Sequence, residues 1–160
     1  MTTTPYTRTV EDAPTVSVVG DVYALLARAE DTGGSLTVVH AIVPPGGGPP
    51  PHTHLHDDEA FFLIEGELDL TLGDESHRIG PGAFAFVPRG SLHAFKNATT
   101  APVRMLFFTT PGGVDRVFTE AGAPLAPGAR EPAPVNDEAI EKLLRACAAN
   151  GIVVEPPTQA

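Results

Sequence analysis

The chain carries two histidines and a carboxylate at a spacing that suits a shared metal ion. His52 and His54 are separated by one residue, so both imidazoles project from the same face of an extended strand. Glu59 follows after a short acidic bend and begins an apolar run, in which Phe61 and Leu63 face the same way. Burying these polar groups among apolar side chains is costly unless something compensates their charge, and a divalent metal does so. Two histidines with one carboxylate also match the ligand set of non-haem iron enzymes.

A further histidine, His93, lies in a second stretch of similar character. The chain turns at Pro88 to Gly90, and His93 stands on the strand that leaves this turn. Phe95 projects to the same side as His93, because alternate residues of a strand share a face. The sequence therefore predicts that His93 sits among apolar neighbours.

These two stretches together resemble the paired motifs of the cupin superfamily. The first motif, G-x5-H-x-H-x4-E-x6-G, is matched by Gly46, His52, His54, Glu59 and Gly66. The second motif, G-x5-P-x-G-x2-H-x3-N, is matched by Gly82, Pro88, Gly90, His93 and Asn97. The resemblance implies an all-β fold, the double-stranded β-helix or jelly-roll barrel. It also implies one divalent transition metal (iron, nickel, manganese, copper or zinc), with the ligands His52, His54, Glu59 and His93.

The other histidines receive different predictions. His56 would face the same way as the first two if the strand continued, but the acidic bend at Asp57-Asp58 begins there. A position on the rim of the site is therefore favoured, and a ligand role stays open. His40 lies in a β-branched run and is predicted to be a sheet residue, whereas His77 lies beside a turn and is predicted to be exposed. Asn97 is expected to hydrogen-bond either within a turn or to a metal ligand.

The elements that must position these residues are short strands separated by turns. The chain has 17 prolines and 16 glycines, which disfavour a helix bundle. Leu68, Leu70 and Leu72 alternate with polar residues, as in a half-buried strand. We expect one domain over residues 1–160, with a barrel core at about residues 16–110 and a loop and helix at 111–160.

The predicted C-terminal helix begins after Asn136, a plausible N-cap followed by two acidic residues. Its apolar face would consist of Ile140, Leu143, Leu144 and Cys147. We expect this face to pack against the outside of the barrel or against a partner subunit. Cys147 is then a small buried side chain and not a reactive thiol.

Composition and charge exclude several classes of partner. Twenty acidic and ten basic side chains give a formal net charge of -10, which disfavours binding to nucleic acid or to an anionic membrane surface. No apolar run approaches the roughly 20 residues needed to cross a bilayer. A single cysteine allows no intrachain disulfide, and Met1 to Pro14 lacks the pattern of a secretion signal, so a cytoplasmic location is expected.

Within the superfamily, the chain is similar to small single-domain cupins of the quercetin 2,3-dioxygenase type. The resemblance rests on the stretch from Pro111 to Phe118 and on the end of the final helix, from Asn150 to Val154. It implies a dioxygenase that uses dioxygen on an enolisable or polyphenolic, flavonol-like small molecule, with Glu59 as the general base. The alternatives are a cupin isomerase or cyclase and a non-catalytic protein that binds a small ligand. A homodimer is expected, because exposed edge strands favour covering.

Overall fold

The computed structural model describes residues 3–156, which form two antiparallel β-sheets and two helices. The strands are β1 (Thr15–Val18), β2 (Asp21–Ala27), β3 (Thr37–Val43), β4 (His52–His54), β5 (Asp58–Glu65), β6 (Leu68–Leu72), β7 (Glu75–Ile79), β8 (Phe84–Val87), β9 (Leu92–Lys96), β10 (Val103–Thr110), β11 (Ala123–Leu125) and β12 (Ile152–Val154). The helices are α1 (Asp115–Ala121) and α2 (Asp137–Ala149).

The sheets have the strand orders expected of a double-stranded β-helix. One sheet has seven strands in the order β11-β1-β2-β3-β10-β5-β8, and the other has five in the order β12-β4-β9-β6-β7. Several strands that neighbour in space are distant in sequence, as in the pairing of β10 with β3 and β5. The prediction of an all-β jelly-roll barrel with a C-terminal helix is confirmed.

The alternation of side chains along each strand decides what enters the space between the sheets. On β5, Glu59, Phe61 and Leu63 are buried, whereas Phe62 and Ile64 remain 41% and 37% exposed. The same rule places the inner side chains of both sheets in one apolar core. This core includes Tyr23, Leu25, Val39, Phe61, Leu63, Leu70, Phe95, Met105 and Phe107.

The C-terminal segment takes a larger part in the barrel than expected. β11 pairs with β1, and β12 pairs with β4, so each sheet gains an edge strand from beyond residue 110. Asn136 caps α2 as predicted, its Oδ1 accepting a hydrogen bond from the Ala139 amide at 2.9 Å. None of the helices among residues 3–156 is long and apolar enough to span a membrane.

The packing of α2 differs from the prediction. Leu143, Leu144 and Cys147 line a cavity that also reaches the inner faces of the strands, so the helix covers the barrel interior and not its outer wall. Two residues of the predicted apolar face remain exposed, Ile140 at 41% and Leu144 at 46%. β12 follows α2 directly and pairs with β4, and this pairing places the end of the helix over the cavity.

The Asn97 side chain stabilises the turn in which it lies. It is fully buried and donates hydrogen bonds to the carbonyl oxygens of Val43 and Ala101, at 2.9 and 2.7 Å. Its Oδ1 accepts from the amide and the hydroxyl of Thr99. The turn alternative is therefore the one that the structure supports, and Asn97 joins the loop before β10 to the end of β3.

Candidate metal centre

Three strands bring the four predicted ligands together inside the barrel. His52 and His54 lie on β4, His93 lies opposite His52 on the adjacent β9, and Glu59 lies on β5 in the facing sheet. One ligand atom from each of these residues lies within 4.8 Å of the others. None of the four side chains is more than 9% exposed. The arrangement is compatible with a site for a single metal ion.

Hydrogen bonds on the outer side of each imidazole fix which nitrogen faces the centre. The Nδ1 atoms of His52 and His93 donate to the carbonyl oxygens of Pro50 and Ser91, at 2.9 and 3.0 Å. The Nδ1 of His54 donates to the Asp57 carboxylate at 2.6 Å. A carbonyl oxygen only accepts, so the ring proton stays on Nδ1 and the lone pair on Nε2 is free for a metal.

The inner contacts of Glu59 call for a positive charge. Its Oε2 lies 2.8 Å from Nε2 of His93 and 3.5 Å from Nε2 of His54. Because Nδ1 of His93 already donates to Ser91, the shorter contact needs either a proton between the two atoms or a metal cation shared by both. Three imidazole nitrogens and one carboxylate form a donor set that first-row transition metals accept. The residues present therefore fit a divalent metal.

The charge states of His52 and Glu59 suit a metal site, whereas at His54 a metal must displace a proton. Burial, followed by the nearby charge of His93, lowers the pKa of His52 to about 4, so this ring is neutral at pH 7. Burial opposes ionisation of Glu59, but the hydrogen bond to His93 and the charges of the three histidines outweigh it and lower the pKa of Glu59. Burial also opposes the charge on His54, yet the hydrogen bond to Asp57 and the charges of Glu59 and Asp57 raise the pKa of His54.

The remaining histidines lie outside this cluster. His56 is exposed and follows the end of β4, in agreement with a place on the rim. His40 is buried in β3, and its Nε2 accepts a hydrogen bond from Arg104 at 3.4 Å. His77 is half exposed and lies 3.3 Å from Glu75.

Sequence reasoning missed Asp57, which it treated only as part of an acidic bend. The Asp57 side chain is 12% exposed and orients the His54 ring. The neighbouring Asp58 instead pairs with Arg89, which fastens the start of β5 to the turn before β9. The position of Asp57, three residues after a candidate ligand, was the one available signal of its role.

An apolar cavity extends from the cluster toward α2. Tyr23 stacks on Phe118 with ring centroids 4.7 Å apart and meets Phe107 edge to face at 5.9 Å. The other apolar lining residues include Phe95, Val114, Val117, Leu143, Cys147 and Ile152. Burial raises the pKa of the Cys147 thiol to about 11, so this cysteine behaves as a small apolar side chain. Besides His52, His54 and Glu59, the ionisable side chains of the lining are Asp21, Tyr23 and this thiol.

Comparison with known proteins identifies relatives in several enzyme classes. Residues 39–109 match the model of the family described as "Cupin domain". Quercetin 2,3-dioxygenase of Bacillus subtilis is 25% identical over 108 residues, covering 67% of this chain but only 32% of that protein. Tetracenomycin polyketide synthase protein TcmJ of Streptomyces glaucescens is 30% identical over 99 residues, covering 62% of this chain and 66% of TcmJ. These alignments therefore span less than two thirds of either curated relative.

A solved structure extends the likeness to most of the chain. The polyketide cyclase RemF of Streptomyces resistomycificus superposes with a TM-score of 0.59 at 20% identity, covering 86% of this chain and 92% of RemF. At that identity the match shows a shared fold.

Proposed function

The chain belongs to the cupin superfamily, and from that premise we propose that it is a metal-dependent dioxygenase of an enolisable or polyphenolic aromatic molecule. The observation that carries this proposal is the opening of the His52, His54, Glu59 and His93 cluster into an aromatic-lined cavity. A flat molecule with an acidic hydroxyl group fits both the cavity and the cluster, because its rings can pack against the apolar walls and its oxygen can bind a metal.

The side chains have separable roles in this proposal. A divalent metal, when bound, lowers the pKa of an enol or phenol and stabilises the resulting anion. The three histidines would hold it through Nε2, and Glu59 would hold it and accept the proton that the substrate hydroxyl loses. Tyr23, Phe107 and Phe118 would contact the substrate rings and keep water away from the anion.

The relatives support this substrate class and keep a second activity open. Quercetin 2,3-dioxygenase is named for the oxidation of a polyphenol, and TcmJ is named as a polyketide synthase protein. Polyketides are themselves enolisable, and the same deprotonation without dioxygen would serve a cyclase. We therefore keep cyclisation of an aromatic polyketide as the second candidate.

The decisive experiment incubates metal-loaded protein with quercetin and with an enolisable 1,3-diketone, in air and under argon. A dioxygenase consumes dioxygen, and after incubation with 18O-labelled dioxygen mass spectrometry detects two labelled oxygen atoms in the product, including a ring-opened product that has lost carbon monoxide, and none under argon. A cyclase gives a product of equal mass, or one that has lost water, under both atmospheres. Tight binding of either compound with no product would contradict both activities and indicate a non-catalytic binding protein.

We also propose that the chain forms a homodimer through the outer face of β5 and β8. Phe84, Phe86 and Phe62 are 61%, 54% and 41% exposed and lie side by side, with Ile64 on the same face. Since a phenylalanine presents about 150–250 Å², these three rings leave about 300 Å² open. This exposed area is large enough to form the apolar core of a standard interface, which buries about 800 Å² per partner.

The sheet edge supports a second copy as the occupant of this face. β8 ends the seven-stranded sheet, and in the described part of the chain it pairs only with β5. Its free backbone groups suit antiparallel pairing with the same strand of another copy, which a two-fold axis permits. A sheet extended in this way would place the two phenylalanine clusters side by side on the same outer face.

Charging this face is expected to give a monomer. The double substitution Phe84→Glu/Phe86→Glu places four carboxylates in the proposed dimer interface, so the molar mass from light scattering should halve. Ile140→Glu, at an apolar position on α2 that is 41% exposed, is the control and should leave the dimer intact. A wild-type protein that is already monomeric, or a dimer lost only in the α2 variant, would contradict the proposed interface.

A further inference from the structure

A buried carboxyl group lies in the cavity apart from the four metal-site residues. Asp21 is the first residue of β2, and Tyr23 projects from the same inner face. The two residues are 3% and 6% exposed, and Tyr23 donates its hydroxyl proton to Oδ2 of Asp21 at 3.0 Å. Both line the cavity, on the sheet that faces the strands of the three histidines.

One oxygen of this carboxyl group lacks a partner. Oδ1 of Asp21 is buried and makes no hydrogen bond within residues 3–156. The loop at Gly47 and Gly48 lies against it, so closely that a Cβ at Gly47 would collide with Oδ1. The amide of Gly48 is near enough to favour the charged form, but it does not complete a hydrogen bond. A buried acceptor without a partner is costly and is uncommon in folded proteins.

The protonation of Asp21 allows two kinds of contact. Burial raises the pKa of Asp21 to about 7, although the hydrogen bond from Tyr23 and the nearby Gly48 amide oppose the rise. The group is thus partly protonated at neutral pH, and its free oxygen can accept from a hydroxyl or donate to a carbonyl. No residue of the metal cluster forms a hydrogen bond with it among those described.

We propose that Asp21, oriented by Tyr23, binds a second oxygen substituent of the substrate. The proposal rests on the function proposed above and narrows the substrate to an aromatic molecule with at least two oxygen functions. One of these lies at the metal cluster, and the other, a hydroxyl or carbonyl on a separate part of the molecule, satisfies Oδ1. Because the rest of the wall is apolar, this contact would determine which polyphenols or polyketides are accepted.

The test compares two ligands that differ in their outer hydroxyl groups. Affinities of 3-hydroxyflavone and quercetin are measured by calorimetry under argon, on metal-loaded wild type, Asp21→Ala and Asp21→Asn. Quercetin should bind wild type about tenfold more tightly than 3-hydroxyflavone, as one buried hydrogen bond to a partly charged group allows. Asp21→Ala should remove this preference and leave the 3-hydroxyflavone affinity within about twofold.

Two further measurements separate a binding role from a structural one. Metal content should be equal in all three proteins, and Asp21→Asn, which keeps the shape of the side chain, provides the comparison if Asp21→Ala does not fold. Equal wild-type affinity for both ligands, or an equal loss of both in the variants, would overturn the subsite while leaving the proposed activity standing. If wild type binds neither ligand, the proposed substrate class fails, and the subsite fails with it. If wild type prefers quercetin and Asp21→Ala does not, but no product forms, the subsite stands and only the proposed activity is overturned.

Discussion

Replacing His93 with alanine is expected to weaken metal binding by more than about 100-fold. His93 is 1% exposed and lies at the centre of the cluster, with its ring centroid 4.3 Å from that of His52 and its Nε2 2.8 Å from Glu59. Its removal leaves only two imidazoles and one carboxylate. Since even outer partners of metal ligands change affinity by about 10–100-fold, the loss of a direct ligand should exceed that range.

Plasma mass spectrometry of protein dialysed against a weak chelator provides the measurement. The matched control is His77→Ala, which removes a half-exposed histidine from the edge strand β7 and should leave the metal content unchanged. His56→Ala should also keep its metal if this residue lies on the rim. A His93→Ala protein that retains metal at the wild-type ratio would refute the proposed site.

Part of the predicted ligand cluster follows from strand geometry, because the spacing of residues along a strand determines which side chains share a face. Residues two apart on a strand share a face, so the pair on β4 follows from the sequence once β4 is recognised as extended. The contact between His93 and Glu59, which lie in different sheets, does not follow from periodicity. Only the resemblance to the superfamily placed these two residues at one site.

Alternation alone could not assign the phenylalanines. It predicts that Phe84 and Phe86 share a face of β8, but not which face turns inward. In the structure Ala85 and Val87 take the inner side, and the two phenylalanines remain outside. The choice depends on how closely β8 approaches the opposite sheet, a tertiary property that the sequence of a four-residue strand does not encode.

Two of the buried acids, Asp21 and Asp57, escaped prediction for a related reason. Asp21 and Asp57 both follow turn or bend signals, where acidic residues are ordinarily solvent-exposed. Asp21 is buried because the loop at Gly47 folds over it, and Asp57 because the chain returns toward His54. In the same way, β12 has only three residues, and its pairing with β4 depends on the placement of α2.

Glu59→Gln is expected to lower kcat by at least about 100-fold, the contribution typical of a positioned general base. Glutamine keeps the size of the side chain and one oxygen donor, but it loses the charge that accepts the substrate proton. Burial alone would raise the pKa of Glu59. The hydrogen bond to His93 and the charges of the three histidines outweigh burial and lower this pKa, so the wild-type group is ionised at neutral pH. The variant lacks that acceptor at every pH.

The measurement must separate catalysis from metal retention, because Glu59 is also a predicted ligand. Turnover of the substrate identified in the atmosphere experiment is therefore expressed per bound metal, at a metal concentration that saturates the variant. Glu65→Gln is the control, since Glu65 lies on the same strand with its side chain 64% exposed. A Glu59→Gln protein with wild-type turnover per metal would show that the carboxylate is needed only to hold the ion. Loss of turnover with metal retained, and with Glu65→Gln unaffected, would identify proton removal at Glu59 as the step that this barrel catalyses.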